Sequence, residues 1–383
     1  MKTKFCLFII CLLFISIDSG RAQQSAPPAQ VGAEKQPSLV EVENWTKPQA
    51  GWLYVLDPRP NVDDTGGHVW LLDPETGKVM GSIHTGNHPD FALSPDGNRL
   101  YVASETHVDG ARLGIVDTSS GEVFGGEVIY GRITPNIIPA FSTMAVSGDG
   151  KVLRILVRTP DSDSAQLDTI NAESGKRMPG VVHLGNCSDG QFVSVPNASQ
   201  VDVVCPNVKK VHVVRTNEKS RELDNTNGQW PWNHRFGVGT ALPSPDGKSV
   251  AVVRGDGGVF LMDLVTLTFY STAARGGSQE QISQSAWPES PDGAKIYIGN
   301  HHAVNGVNVN AREIRVYDTT TWKKISSMKT SIPFWSAVVS GDGKRLYAIV
   351  PDQHSILVID TSTMKEIRRM NVGAMPALAV VAR

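Results

Sequence analysis

The chain has 383 residues, 19% of them charged, and a formal net charge of −2. That balance excludes a basic field for nucleic acid and an acidic interaction tail, so electrostatics name no partner. Four cysteines exclude a cysteine-dense segment of the kind that staples small scaffolds.

At the N-terminus, Lys2 and Lys4 precede an apolar run from Phe5 to Ile17, and Gly20-Arg21-Ala22 supplies a small-x-small site for cleavage before Gln23. The run is shorter than the ~20 residues an ordinary membrane-spanning helix needs. Residues 1–22 therefore read as a signal peptide and the protein as periplasmic or secreted, with no membrane insertion after cleavage; an uncleaved anchor is the alternative. Cleavage removes Cys6 and Cys11 and leaves Cys187 and Cys205, which in an exported chain are expected to pair. They lie on either side of a Pro196-Asn197 turn, as facing positions in neighbouring strands would. A structural staple fits better than a redox pair, which usually sits as Cys-x-x-Cys.

Residues 23–47, rich in Gln, Pro, Ala and Glu without periodicity, read as a flexible leader. From residue 48 to 383 one pattern recurs. Its clearest copy runs from Phe91 to Val123: an apolar run, the turn Ser94-Pro95-Asp96-Gly97, a strand-like Leu100-Tyr101-Val102-Ala103, a loop, then an apolar strand ending in Asp117 before a Thr118-to-Gly121 turn. Pro presets φ for the first central turn position and Gly accepts the left-handed one, so the turn joins antiparallel strands at little cost.

The turn returns at Ser147–Gly150, Ser244–Gly247, Ser290–Gly293 and Ser340–Gly343, with a degenerate copy at Ser188-Asp189-Gly190. The second landmark recurs at Asp73, Asp117, Asn171, Arg215, Asp263, Asp318 and Asp360, at intervals of 44, 54, 44, 48, 55 and 42 residues. A period in the forties with four strands per unit is the signature of a β-propeller, and seven copies predict seven blades of four antiparallel strands in one all-β domain. The run beginning at Trp52 lacks the strand that should precede it, while Pro376–Val381 resembles a first strand with nothing after it. Pairing the C-terminal strand with the N-terminal blade would close the ring and remove both sheet edges.

Short connections fall inside the Ser-x-Asp-Gly hairpins and after the Asp landmarks. The longer, variable ones, from second to third strand and from blade to blade, fall on the other face, where function on a rigid scaffold is expected. His68, His107, His301, His302 and His354 lie in or beside the former class, and His84, His88 and His234 in the latter. Trp230 and Trp232 flank Pro231 just before His234, and Trp335 sits in the last full connection. The candidate binding face therefore comprises His88, His107, Trp230, Trp232, His234, His301, His302 and Trp335. Adjacent histidines rarely share one ion and no His-x-x-x-His or Cys-His spacing accompanies His301-His302, so no metal site is assigned. No Gly-x-Ser-x-Gly elbow, phosphate loop or dinucleotide fingerprint is present, and the recurring Asp landmarks read as turn caps. No catalytic residue is assigned.

The opening "LYVLDPRP…GGHVWLLDPETGKVMGSIHTG" with "ALSPDGNRLYVAS", and the later "AWPESPDGAKIYIGNHHAVNGVNVNAREIRVYDTTTWKKISS" with its long loop before Tyr317-Asp318, resemble the heavy chain of the quinoprotein amine dehydrogenases (methylamine and aromatic amine dehydrogenase), built on YVTN-type, WD40-like repeats. Cys187 and Cys205 also lie where those heavy chains carry an intrachain disulfide. The resemblance implies a periplasmic seven-bladed propeller without a cofactor of its own. It would scaffold a small light chain whose tryptophan-derived quinone oxidatively deaminates primary amines and passes electrons to an acceptor protein. The second reading is a stand-alone extracytoplasmic module binding a ligand or protein through the His and Trp loops. A third is a lactonase-like hydrolase, for which Asp90, His88 and His302 would supply metal ligands.

Overall fold

The structure, a computed structural model, describes residues 40–58, 66–106, 110–129, 132–133, 142–158, 164–187, 190–194, 200–205, 210–214, 221–224, 238–243, 249–254, 259–263, 266, 268–271, 281–282, 288–301, 303–304, 307–308, 311–321, 323–372 and 376–382. All of them belong to the unit Ser38–Arg383; Met1–Pro37 is a separate unit. The predicted signal peptide, most of the predicted leader, the turns at residues 188–189 and 244–247, and the landmark Arg215 lie outside the described residues.

The fold is all-β and propeller-like. Strands pair antiparallel, and in sheets two to seven the four main strands follow one another in chain order, whereas sheet one runs Glu41–Glu43, Lys78–His84, His68–Asp73, Leu53–Asp57, Leu378–Val381. Sheet one holds Leu53–Asp57, His68–Asp73 and Lys78–His84, with Leu378–Val381 added on one side and Glu41–Glu43 on the other. Sheet two holds Asn87–Leu93, Arg99–Thr106, Gly110–Asp117 and Val123–Ile129. Sheet three holds Met144–Val146, Val152–Arg158, Ala165–Asn171 and Val182–Gly185, and Arg132–Ile133 also pairs with its second strand. Sheet four holds Gln191–Ser194, Val201–Cys205, Lys210–Val214 and Arg221–Asp224. Sheet five holds Val238–Pro243, Ser249–Arg254, Val259–Asp263 and Phe269–Ser271. Sheet six holds Gln281–Ile282, Lys295–His301, Ala311–Asp318 and Lys324–Phe334, with a small hairpin of Ala303–Val304 and Val307–Asn308 between its second and third strands. Sheet seven holds Ser336–Val339, Arg345–Val350, Ser355–Asp360 and Lys365–Asn371. Among the described residues there is no α-helix, and no helix is long and apolar enough to cross a membrane.

Side chains alternate across a strand, so a strand packed on both faces must be apolar at nearly every position. In sheet one, Tyr54 and Leu56 join Phe91, Leu100 and Val102 of sheet two, while Leu53 and Val55 join Tyr347, Ile349 and Ile356 of sheet seven. In sheet two, Tyr101 and Ala103 turn the other way, to Leu153, Ile155 and Val157 of sheet three. Leu156 points to Val203 and Cys205 of sheet four, and Leu346 and Ala348 of sheet seven pack on Ile298 and Val316 of sheet six. Sheets one and two, two and three, three and four, six and seven, and seven and one thus each share an apolar layer.

The hairpin turns are hydrogen-bonded as a repeated unit. Ser94 Oγ donates to Asp96 Oδ1 at 2.6 Å and accepts from Arg99 N at 2.9 Å, and the same pair of bonds recurs at Ser290 and Ser340. Gly97 and Gly343 sit at φ +75° and +72°, a conformation that only glycine adopts freely. Thr118, Thr319 and Thr361 reach back from the third strand to the carbonyls of Gly97, Gly293 and Gly343, tying both turns of each sheet together.

Two expectations need correction. Residues 40–47, read as the end of a flexible leader, carry the strand Glu41–Glu43, so sheet one has five strands where three plus the C-terminal one were expected. Composition hid this because the segment is fixed by single contacts rather than by periodicity. Val40 is buried against Gly114, and Trp45 donates Nε1 to Thr118 O at 2.9 Å while its ring covers Gly81 and Gly121. A Cβ at Gly114 would come within 2.6 Å of Val40, so the missing side chain makes room for the segment.

The second correction concerns the cysteines. Cys187 and Cys205 are disulfide-bonded, with Cα atoms 5.1 Å apart. Cys187, however, lies in the connection between sheets three and four rather than in a strand facing Cys205. Both are fully buried beside Leu156, Leu184 and Val203, so the bond staples one sheet to the next. Replacing Cys187 with Ser is expected to lower stability by about 2–4 kcal/mol. Urea unfolding with and without reductant checks this: reductant should shift the parent midpoint to that of Cys187→Ser and leave the variant unmoved.

Candidate functional site

The two ends of the sheets differ chemically. At the tight-turn end the recurring aspartates accept hydrogen bonds from their own turns. Ser119 holds Asp117, Ser362 holds Asp360 and Ser340 holds Asp342, each bond keeping the carboxyl below the usual range. A carboxylate so held is a poor general acid. These groups serve the turns.

At the other end, where second strands leave for third strands, the structure gathers residues from sheet one. His68 lies opposite both Asp57 and His84 in register. Its ring stacks on Trp70 with centroids 4.8 Å apart and planes 4° from parallel, and meets the His84 ring edge-on at 4.2 Å. His84 Nε2 lies 3.1 Å from Glu43 Oε2, which belongs to the added N-terminal strand. Burial, with His84 alongside, pushes the His68 ring below its ordinary pKa. The array is an aromatic and imidazole ledge beside two carboxylates, Asp57 and Glu43.

Of the eight residues expected on this face, His88 and Trp335 can be placed in full. His88 takes φ +46° in an irregularity of the first strand of sheet two and sets Nδ1 3.0 Å from Glu105 Oε2. Trp335 lies half-buried between sheets six and seven in the chain, its backbone N–H donating to Ile349 O at 2.8 Å. His301 ends the second strand of sheet six. The side chain of His301, and His107, Trp230, Trp232, His234 and His302, lie outside what the structure describes. Sequence reasoning placed His68 and His84 in this region but missed Trp70, Glu43 and Glu105. The available signal was register: once Asp57 pairs with His68, period-two alternation puts Trp70 on the same face.

Asp90, considered above as a metal ligand beside His88 and His302, is committed elsewhere. It is buried, and its carboxylate accepts from Thr143 N, Thr143 Oγ1 at 2.7 Å, Ser142 Oγ at 3.0 Å and Phe91 N at 2.7 Å. These bonds pin the first strand of sheet two to the approach to sheet three. Among the described residues, no three His, Cys, Asp or Glu side chains converge as metal ligands would.

No protein family and no curated protein matches the chain by sequence. Solved structures do match, and at these identities they show the fold. One is the dihydro-heme d1 dehydrogenase NirN, at TM-score 0.56 and 17% identity over 86% of this chain, which spans 66% of that one. A putative 6-phosphogluconolactonase from Bacteroides uniformis matches at TM-score 0.61 and 15% identity, over 87% of this chain and 100% of that one. Hydrazine synthase from Kuenenia stuttgartiensis matches at TM-score 0.55 and 16% identity, over 83% and 97%.

The Asp90 staple makes a pH prediction. Burial, against the four donors, lifts its carboxyl to about 6. The folded chain therefore holds a proton that the unfolded chain releases near pH 4, and stability falls as pH rises from about 4 to about 6. In Asp90→Asn that contribution vanishes, so the stability difference between pH 4 and pH 7 should change by about 2–3 kcal/mol relative to the parent, read from urea unfolding at both pH values. An unchanged difference would show that Asp90 is ionised throughout.

Proposed function

We propose that the sheets are seven blades of a closed ring, completed by the C-terminal strand in sheet one, and that the ring is a non-catalytic, extracytoplasmic scaffold receiving a partner protein on its loop-rich end. The observation carrying this reading is the contrast between the two ends. The turn aspartates are consumed by their own hairpins, whereas His68, Trp70 and His84 gather on sheet one beside Glu43, and His88 pairs with Glu105 on sheet two. Aromatic side chains with a polar edge are what protein interfaces favour.

The sequence resemblance gives the finer form: the partner is a small light chain bearing a tryptophan-derived quinone, electrons leave to an acceptor protein, and primary amines are the substrate of the assembly. The signal-like N-terminus and the disulfide fit an oxidising compartment. A second reading is a stand-alone binding module, in which the His68, Trp70 and His84 rings take up a ligand in place of a partner protein. Purification under mild conditions from the producing cells separates the two. The scaffold reading expects a co-eluting small cysteine-rich chain, seen by intact mass, with quinone absorbance in the visible spectrum. A colourless single species would overturn it and leave the binding module.

A further inference from the structure

The strands that follow the landmark turns of sheets six, seven and one have the same beginning. Each opens on a lysine: Lys324, Lys365 and Lys78. Close behind stands a branched aliphatic side chain open to solvent, Ile325 at 52%, Ile367 at 50% and Val79 at 50%. Among the described residues only Val181, at 40%, joins them as an exposed large apolar side chain. Two contacts set the three strands beside one another. Ser331 Oγ donates to Glu366 Oε2 at 2.7 Å, from sheet six to sheet seven, and Arg368 donates to the Glu75 carbonyl, from sheet seven to the turn before Lys78.

The sheets do not need either isoleucine. Tyr317 pairs with Lys324 and Val316 with Ser326, so Ile325 is the extra residue of a bulge. Ile359 pairs with Glu366 and Val358 with Arg368, so Ile367 is another. Bulges and lysines commonly protect an exposed strand edge from pairing with another chain, but that role calls for polar side chains, and half-exposed isoleucines work against it. Charge is equally uneven. The three strands carry Lys78, Lys324, Lys329, Lys365, Arg368 and Arg369 against one carboxylate, Glu366, in a chain whose net charge is −2. The corresponding strands of sheets two and three, Val123–Ile129 and Val182–Gly185, hold no lysine or arginine. The landmark turns add Lys323 with Asp73, Glu75, Asp318 and Asp360, and the patch stays cationic. Three of those carboxylates are drawn into their own turns, by Thr76, Thr321 and Ser362.

A cationic patch with aliphatic tips suits an acidic protein or an anionic membrane, and the residue types separate the two. Protein interfaces are enriched in aromatic residues and arginine and depleted in lysine. Here the exposed apolar tips are aliphatic, and both arginines are engaged, Arg368 with Glu75 and Arg369 with Gln353. The lysines form no ion pair among the described residues. Lysine stems lie along apolar surface while their heads reach phosphate, and aliphatic side chains beside them enter the acyl boundary. We propose that sheets six, seven and one rest on an anionic phospholipid surface, with Val79, Ile325 and Ile367 below the headgroups and Lys78, Lys324 and Lys365 at the phosphates. The contact is peripheral, on strands and not on a spanning helix. It lies beside the tight turns and leaves the loop-rich end free, so it stands whether or not a partner protein docks there.

The test is flotation of the full chain with vesicles of phosphatidylglycerol and phosphatidylcholine in equal parts, against vesicles of phosphatidylcholine alone. The mixed vesicles should bind about tenfold more tightly or better, and raising salt from about 0.05 M to about 0.5 M should weaken that binding. Lys78→Ala, Lys324→Ala and Lys365→Ala combined should weaken it about a hundredfold, near fivefold per lysine. Ile325→Ser with Ile367→Ser should weaken it about tenfold and leave the salt dependence unchanged. The apolar run Phe5–Ile17 is common to parent and variants, so the differences between them read the patch alone, and both variants should keep the parent's Tm. Equal binding by the parent and either folded variant, or no preference for the anionic vesicles, would overturn the proposal. Lysine-dependent binding of soluble polyglutamate without vesicle flotation would overturn it in favour of an acidic protein.

Discussion

The pairing of the C-terminal strand Leu378–Val381 with Leu53–Asp57 is the contact on which the remaining structure depends. Leu53, Tyr54, Val55 and Leu56 lie opposite Val381, Val380, Ala379 and Leu378. Hydrogen bonds from Ala377 N to Leu56 O, from Ala382 N to Trp52 O and from Gly51 N to Ala382 O extend the match at both ends. Without Leu378–Val381, sheet one would present the polar backbone edge of Leu53–Asp57, a strand whose every side chain is buried. Because Leu53 and Val55 also face sheet seven, and Tyr54 and Leu56 face sheet two, the same strand carries the apolar layers on both sides. Loop-closure entropy for joining residues more than 300 apart grows only with the logarithm of length, so the chain can bring its ends together at modest cost.

What the sequence discloses is what repeats. The Ser-x-Asp-Gly turns and the strand-ending aspartates are local chemistry, stated in full within a few residues, and the hydrogen bonds at Ser94, Ser290 and Ser340 follow from composition alone. The segment around Val40 and Trp45 was not recoverable this way. Its partners, Gly81, Gly114 and Gly121, lie far along the chain and register there only as missing side chains. The disulfide shows the same limit. Cysteine count and compartment give the pair, but only the fold shows that it spans two sheets and not two strands of one. At the candidate site, the histidines could be assigned to an end of the sheets from loop lengths. Which rings touch depends on register, which single-sequence patterning fixes poorly.

The two ends divide labour along physical lines. Tight turns need their polar groups for themselves, and a hydrogen bond donated to a carboxylate lowers its capacity to act on anything else. Positions that escape this logic are those where a residue departs from its counterparts. Asp90 departs and becomes a staple between sheets, fully engaged by Thr143, Ser142 and Phe91. Glu289 departs too, standing before Ser290 where the other hairpins carry Leu93, Val146, Pro243 and Val339. In a repeat scaffold the exception, set against copies of itself, is more informative than any motif.

The central claim, closure of the ring by the C-terminal strand, is tested most directly by a chain ending at Val372. Urea unfolding monitored by tryptophan fluorescence, with a hydrophobic dye reporting exposed apolar surface, compares it with the full chain. Closure predicts that the truncated chain loses its cooperative transition near the native midpoint and binds dye before any denaturant is added. An unchanged midpoint and slope, with no dye binding, would contradict it, because sheets one and seven would then hold their faces buried without the strand that joins them.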